Sequence, residues 1–190
     1  MGCDIHSFVM VPNNEGMYTP LVNYAYFGDW WSLMQPYDDR YYEFFGLLTE
    51  GKCRGNNYTH LGVTTNVGKF NRAAVEQSLF KPENKTKMQN ETNPVEFNST
   101  AVCYFDDDDY NYHTHGWITL AQLKANKKVL SKLIKKLTTS KVQNDEIEEL
   151  VYLKAAIKKM IKNTEVILDS HWNLRTEADA SVIICFCFDS

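Results

Sequence analysis

The sequence predicts an α+β fold: a mainly antiparallel sheet containing the N- and C-terminal strands, with a Lys-rich helical hairpin and long loops. Three observations carry this expectation. The chain opens on CDIHSFVMV and closes on SVIICFCF, both with the pattern of β-strands, and two helical periods lie between them. At 190 residues the chain suits a single domain, 1–190, with the helical hairpin inserted at about 119–162.

Taken in order, Cys3 to Val11 reads as a strand with Cys3, Ile5, Ser7 and Val9 on one face and Asp4, His6, Phe8 and Met10 on the other. The segment from Tyr24 to Leu48 is dense in aromatics, and its second half, DDRYYEFFGLL, predicts a short helix with Asp38 or Asp39 near its N-terminus. A further short helix is expected over Asn71 to Phe80. From Lys81 to Thr100 the chain is polar with almost no apolar period and reads as a long surface loop. AVCYF is a short strand candidate, followed by DDDDYNYHTHGW. Thr119 and Gln122 have the spacing of a capping box, so a helix starts there and runs to about Leu137, with Leu120, Leu123, Leu130, Leu133, Ile134 and Leu137 mostly on one face. A second helix is expected from Asn144 to Lys162, with Leu150, Leu153, Ile157, Met160 and Ile161 as its stripe. Ser181 to Phe188, β-branched and aromatic between Asp179 and Asp189, is the strongest strand pattern in the chain. Strands at the two ends of one domain are expected to pair in one sheet.

Composition excludes several classes. Apolar residues at 44% rule out wholesale disorder, and 20 Lys and Arg against 24 Asp and Glu argue against a general nucleic-acid coat. Charge is unevenly spread. Between Lys124 and Lys162 eleven Lys stand against Asp145, Glu146, Glu148 and Glu149, a local +7 that leaves the rest, with 9 basic and 20 acidic residues, at −11. Solvated helix faces account for these lysines, with a polyanion-attracting patch as the sharper reading. No stretch of about 18 apolar residues occurs, so no membrane contact is expected. The N-terminus lacks the pattern of a signal peptide. The five cysteines are odd in number and form no C-x-x-C, which suits reduced thiols better than a disulfide framework or a structural zinc site.

Three constellations hold candidate chemistry. Asp4 and His6 share a strand face, where a carboxylate can orient an imidazole and raise its basicity, as a general base needs. His113 and His115, around Thr114 and just before Trp117, face the same way if the segment is extended, a spacing that serves metal ligation or paired acid/base work. The aspartates 106–109 read as a solvated acidic turn rather than a cation loop, since the Gly and terminal Glu of an EF-hand are missing. Arg54, flanked by Gly in GKCRGNNYTH, has the chemistry to clamp a phosphate in bidentate fashion. P-loop, G-x-G-x-x-G, G-x-S-x-G and H-E-x-x-H motifs are absent, which disfavours kinase, Rossmann, α/β-hydrolase and zincin readings.

The opening MGCDIH, the block RYYEFFGLLTEGKCRG, the block HTHGWITLAQL and the closing VIICFCFD together resemble a family of small phage and prophage proteins. The resemblance covers about a third of the chain. Its members share the MGCDIH start, an R-N-Y-x-L-F-x-x-L-x-x-V-R middle, an H-S-x-S-W-L-T block and a strand ending F-W-F-D-N. This chain departs from the pattern with Tyr41 for Asn, Cys53 for Val and Gly116 for Ser, and His115 falls on a variable position. The chain is also similar to the phage anti-CBASS nucleases, which cleave bacterial cyclic dinucleotide signals.

That resemblance implies a phosphodiesterase in the cytoplasm of an infected bacterial host. His6 and His113, with Asp4, would be catalytic. Arg54, His115, Trp117, Tyr112 and Thr114 would bind the substrate, with Trp117, Tyr112 or Trp30 stacking on bases. No cofactor is assigned, a divalent metal held by His6, His113 and Asp4 being the alternative mechanism. The expected partner is a cyclic dinucleotide of the 3′,3′-cGAMP type, with no duplex nucleic acid, and the chain is expected to form a homo-oligomer. Two other classes compete: a nucleotide-binding sponge without catalysis, and a phage structural or host-protein-interaction protein.

Overall fold

The computed structural model describes residues 3–12, 18–21, 35–51, 53, 55–56, 58, 68–69, 86–89, 94–97, 113–140, 144–171 and 179–188; at 12, 18–20, 68–69, 86–89, 94–97, 113–115 and 144 only the backbone is described. The expected helix over Asn71 to Phe80, the strand at 101–105 and the aspartates 106–109 lie outside these residues.

The elements in chain order are β1 (Ile5–Pro12), β2 (Tyr18–Pro20), α1 (Tyr42–Thr49), β3 (Gly68–Lys69), β4 (Thr86–Gln89), β5 (Pro94–Phe97), β6 (His113–Thr119), α2 (Leu120–Thr139), α3 (Asn144–Ser170) and β7 (Ile183–Phe188). The strands form one sheet in the order β3-β6-β7-β1-β2-β5-β4. Among the described residues only the β2–β5 pairing is parallel, so the fold is α+β with a mainly antiparallel sheet. The two terminal strands pair with each other, Ile5 opposite Phe188 through Met10 opposite Ile183.

Alternation assigns the two faces of the central strands. Ile5, Val9, Ile184, Phe186, Phe188 and Ile118 belong to the core shared with α1, α2 and α3. Phe45 of α1 stacks against Phe188 with ring centroids 4.9 Å apart, and Phe44 meets Tyr37 at 4.8 Å. Burial of each such side chain contributes about 1.5–3 kcal/mol. Phe8, Met10, Trp117, Ile183, Cys185 and Cys187 project to the opposite face and are buried as well. The central strands are thus covered on both sides, which explains why IICFCF is apolar at every position.

β6 runs straight into α2 through the predicted capping box. Thr119 accepts from the Gln122 backbone N–H at 3.1 Å, and Gln122 Oε1 accepts from the Thr119 N–H at 2.8 Å. Two more N–H groups of the first turn, those of Leu120 and Ala121, donate to the carbonyls of Val182 and Asp179 just ahead of β7. Helix, cap and sheet are therefore joined at one corner.

As expected, Asp38 and Asp39 lie just ahead of α1, whose N-cap is Tyr41 with no side-chain capping bond. They pair with Lys159 of α3, at 3.3 and 2.6 Å. Two expectations are corrected. α3 continues past Lys162 to Ser170, because Thr164 is fully buried with its hydroxyl donating to the Met160 carbonyl and Ile167 and Leu168 extend the buried stripe. The polar stretch from Lys81 to Thr100 is not all loop: it contains the antiparallel pair β4–β5. β4 is the edge strand and β5 the one next to it, away from the apolar centre of the sheet.

After α1 the chain reverses sharply. Glu50 and Gly51 take positive φ, and the N–H groups of both donate to the Gly46 carbonyl. The following loop lies directly on the helix, since a Cβ at Gly46 would come within 2.7 Å of the Asn56 carbonyl oxygen. Among the described residues no helix is long and apolar enough to cross a membrane.

Candidate active site

The sheet order brings two of the three sequence constellations to one place. His6 lies opposite Cys187 on one side of β7. On the other side His113 lies opposite Phe188 and Gly116 opposite Phe186, so Thr114 and His115 together span the position facing Cys187. That two-against-one register is a β-bulge, a device that bends a strand and redirects side chains. His6 and the bulge thus flank a single β7 residue, two strand spacings apart, or about 10 Å across the backbone. The bulge also interrupts the strict alternation used to put His113 and His115 on a common face.

Asp4 and His6 both remain half-buried at the start of β1. The partner that holds Asp4 is Arg40, a residue to which no local pattern around Asp4 points. Its Nε and Nη2 donate to the two carboxylate oxygens, the second at 2.5 Å. These bonds hold the Asp4 carboxyl below its ordinary range, and the charge on His6 adds a smaller effect in the same direction. Arg40 stands first in the RYYEFFGLLTEGKCRG block, so its signal was present in the chain. What was missing was the path that carries the block to the start of β1.

Trp117, expected to stack on a base, is 6% exposed, and its register partner is Cys185. Its indole N–H has no hydrogen-bond partner among the described residues. The indole is therefore part of the buried second face, with Phe8 and Met10 on the neighbouring strand beyond β7. Cys185 on that face lies 3.4 Å from the Met10 sulfur, and burial pushes its thiol well above the usual range. Arg54, Tyr112 and Trp30 lie outside the described residues. Among the described residues no three His, Cys, Asp or Glu side chains converge as a metal-ligand set.

A second polar node has no local signature in the sequence. The Tyr58 hydroxyl reaches Glu43 of α1 at 2.8 Å and Glu149 of α3, while the Asn56 N–H donates to the same Glu43 oxygen at 2.8 Å. Burial, then the two carboxylates, push the Tyr58 hydroxyl far above its ordinary range, so it stays a proton donor. Tyr41, beside this node, is pushed up to about 12 by burial and by Glu149 and Glu43. The node clamps the loop after α1 between two helices.

No protein-family model, curated protein or solved structure matches the chain.

Proposed function

We propose that this protein is a phage-encoded phosphodiesterase that cleaves cyclic dinucleotide immune signals of the 3′,3′-cGAMP type. The observation that supports this reading is the register of β1, β7 and β6, which sets His6 and the bulged His113–Gly116 segment on either side of Cys187. Two histidines from distant segments then serve one phosphodiester. One takes the proton from a ribose 2′-hydroxyl, whose oxygen attacks the adjacent phosphorus. The other gives a proton to the departing 5′-oxygen, which leaves a 2′,3′-cyclic phosphate and opens the ring. In this reading Asp4, held by Arg40, supplies a fixed negative charge beside His6, and Arg54 supplies a phosphate clamp. Catalysis takes place in the cytoplasm of the infected host.

The test is to incubate the purified protein with 3′,3′-cGAMP, denature it and separate the nucleotides by chromatography. Linear dinucleotide products are expected. Intact ligand recovered in full rejects cleavage, and if calorimetry then still shows binding, the sponge reading takes its place. Replacement of His6 or His113 by Ala should lower turnover by about 10²–10⁴-fold, the usual worth of a general acid or base, with the far-UV circular dichroism unchanged. Turnover abolished by EDTA would move the mechanism to a metal.

A further inference from the structure

We propose that Cys3 and Cys53 form an oxidation site, at which hydrogen peroxide joins the two thiols in a disulfide that ties the start of β1 to the loop after α1. Their sulfurs lie 3.8 Å apart although the residues are 50 positions apart in sequence, and both side chains are buried, at 2% and 4% exposure. Each residue is positioned by the same helix. The Cys3 backbone N–H donates to the Tyr42 hydroxyl at 3.3 Å. The Cys53 N–H donates to Thr49 Oγ1 at 2.9 Å, and that hydroxyl in turn reaches the Cys53 carbonyl at 3.3 Å. Closing from 3.8 Å to the disulfide length of about 2.05 Å moves the two sulfurs together by less than about 2 Å.

The two thiols of β7 are placed differently with respect to each other. Cys185 has a thioether as its close sulfur neighbour, which cannot form a disulfide. Cys185 and Cys187 are two apart on one extended strand, about 6.7 Å between Cα atoms, at the far limit of disulfide geometry and with their side chains parallel. Cys103 lies outside the described residues.

The chemistry balances in two steps. One thiolate attacks a peroxide oxygen, giving a sulfenic acid and one water once the expelled hydroxide is protonated. The second thiolate then attacks the sulfenic sulfur, forming the S–S bond and releasing a second water. Two thiols are oxidised, one peroxide is reduced, and the two thiol protons end in the waters. Cys3 immediately precedes Asp4, and Cys53 immediately precedes Arg54, so the bond would join the chain segments that carry two candidate site residues. The proposal itself does not depend on the phosphodiesterase reading.

The test uses the full chain, treated with hydrogen peroxide, alkylated without reduction and digested for mass spectrometry. A linked pair of peptides containing Cys3 and Cys53 is expected, with reduction by dithiothreitol restoring two alkylatable thiols. Because the bond closes a long loop, Tm should rise by roughly 5–15 °C on oxidation and return on reduction. The Tm rise should be absent in Cys3→Ser and in Cys53→Ser. Should either variant fail to fold, the peptide map of the wild-type chain decides alone. A different cysteine pair in that map, irreversible sulfinic or sulfonic products at Cys3 or Cys53, or both thiols still alkylatable after treatment, would each overturn the proposal.

Discussion

At the scale of single residues, both carboxylate oxygens of Asp4 accept from Arg40, and this pair sets the charge state beside His6. Because the Asp4 carboxyl is held below its usual value, the pair's contribution to stability is present above about pH 3.9, the unfolded value, and is lost as pH falls through the lower folded one. Both side chains are about half exposed, so solvent screening keeps that contribution to at most about 1 kcal/mol. Arg40→Ala should therefore move the Asp4 titration upward, read by carboxyl-carbon NMR, with only a slight change in Tm. An unmoved titration would show that Arg40 does not hold the carboxylate. Alternation alone placed Asp4 and His6 together, since neighbours two apart on a strand share a face. Alternation carries no information about Arg40, which arrives from another segment.

At the scale of elements, the capping box at Thr119 and Gln122 was legible because its chemistry is local: four consecutive residues hold both donors and both acceptors. Thr119→Ala should cost about 1 kcal/mol, seen as a fall in Tm of about 2–4 °C, and Thr119→Ser should restore most of it. The stripes of α2 and α3 were legible for a similar reason, as burial repeats every third or fourth residue. The C-terminal turns of α3 were not, since Asn163 and Thr164 are poor helix formers whose placement depends on what they meet. Asn163 donates to the Pro36 carbonyl at 3.0 Å, and Thr164 is buried against the core. β4 and β5 escaped notice because edge pairing leaves no periodic trace. The bulge in β6 escaped for a sharper reason: it exists only as a mismatch between β6 and β7.

At the scale of the whole molecule, β7 is the organising strand, flanked by β1 and β6 and covered on both faces. Amide hydrogen exchange should accordingly be slowest along Phe8 to Met10 and Ile184 to Phe186, at the centre of this three-strand unit, and faster in β5 and the edge strand β4. Equal protection across the sheet would contradict that hierarchy. The helices carry most of the positive charge outward. Lys124 is bound by Glu165 and Asp179 at 2.9 Å each, and Lys159 by Asp38 and Asp39, whereas Lys128, Lys132, Lys135 and Lys136 stand exposed. Burial alone would lower the Lys124 ammonium, but the bonds from Asp179 and Glu165 outweigh it and raise it.

The sequence by itself determined the α+β class, the strands at both ends, the capped helix and the helical stripes, because burial and capping act between residues close in the chain and leave a period behind. Only the tertiary structure decided the insertion of β7 between β1 and β6, the placing of His6 and the bulged His113–Gly116 segment on either side of it, the grip of Arg40 on Asp4 and the approach of Cys3 to Cys53. Each of these joins residues tens of positions or more apart. Contacts of that kind depend on how packed elements direct the chain, and no local period records them.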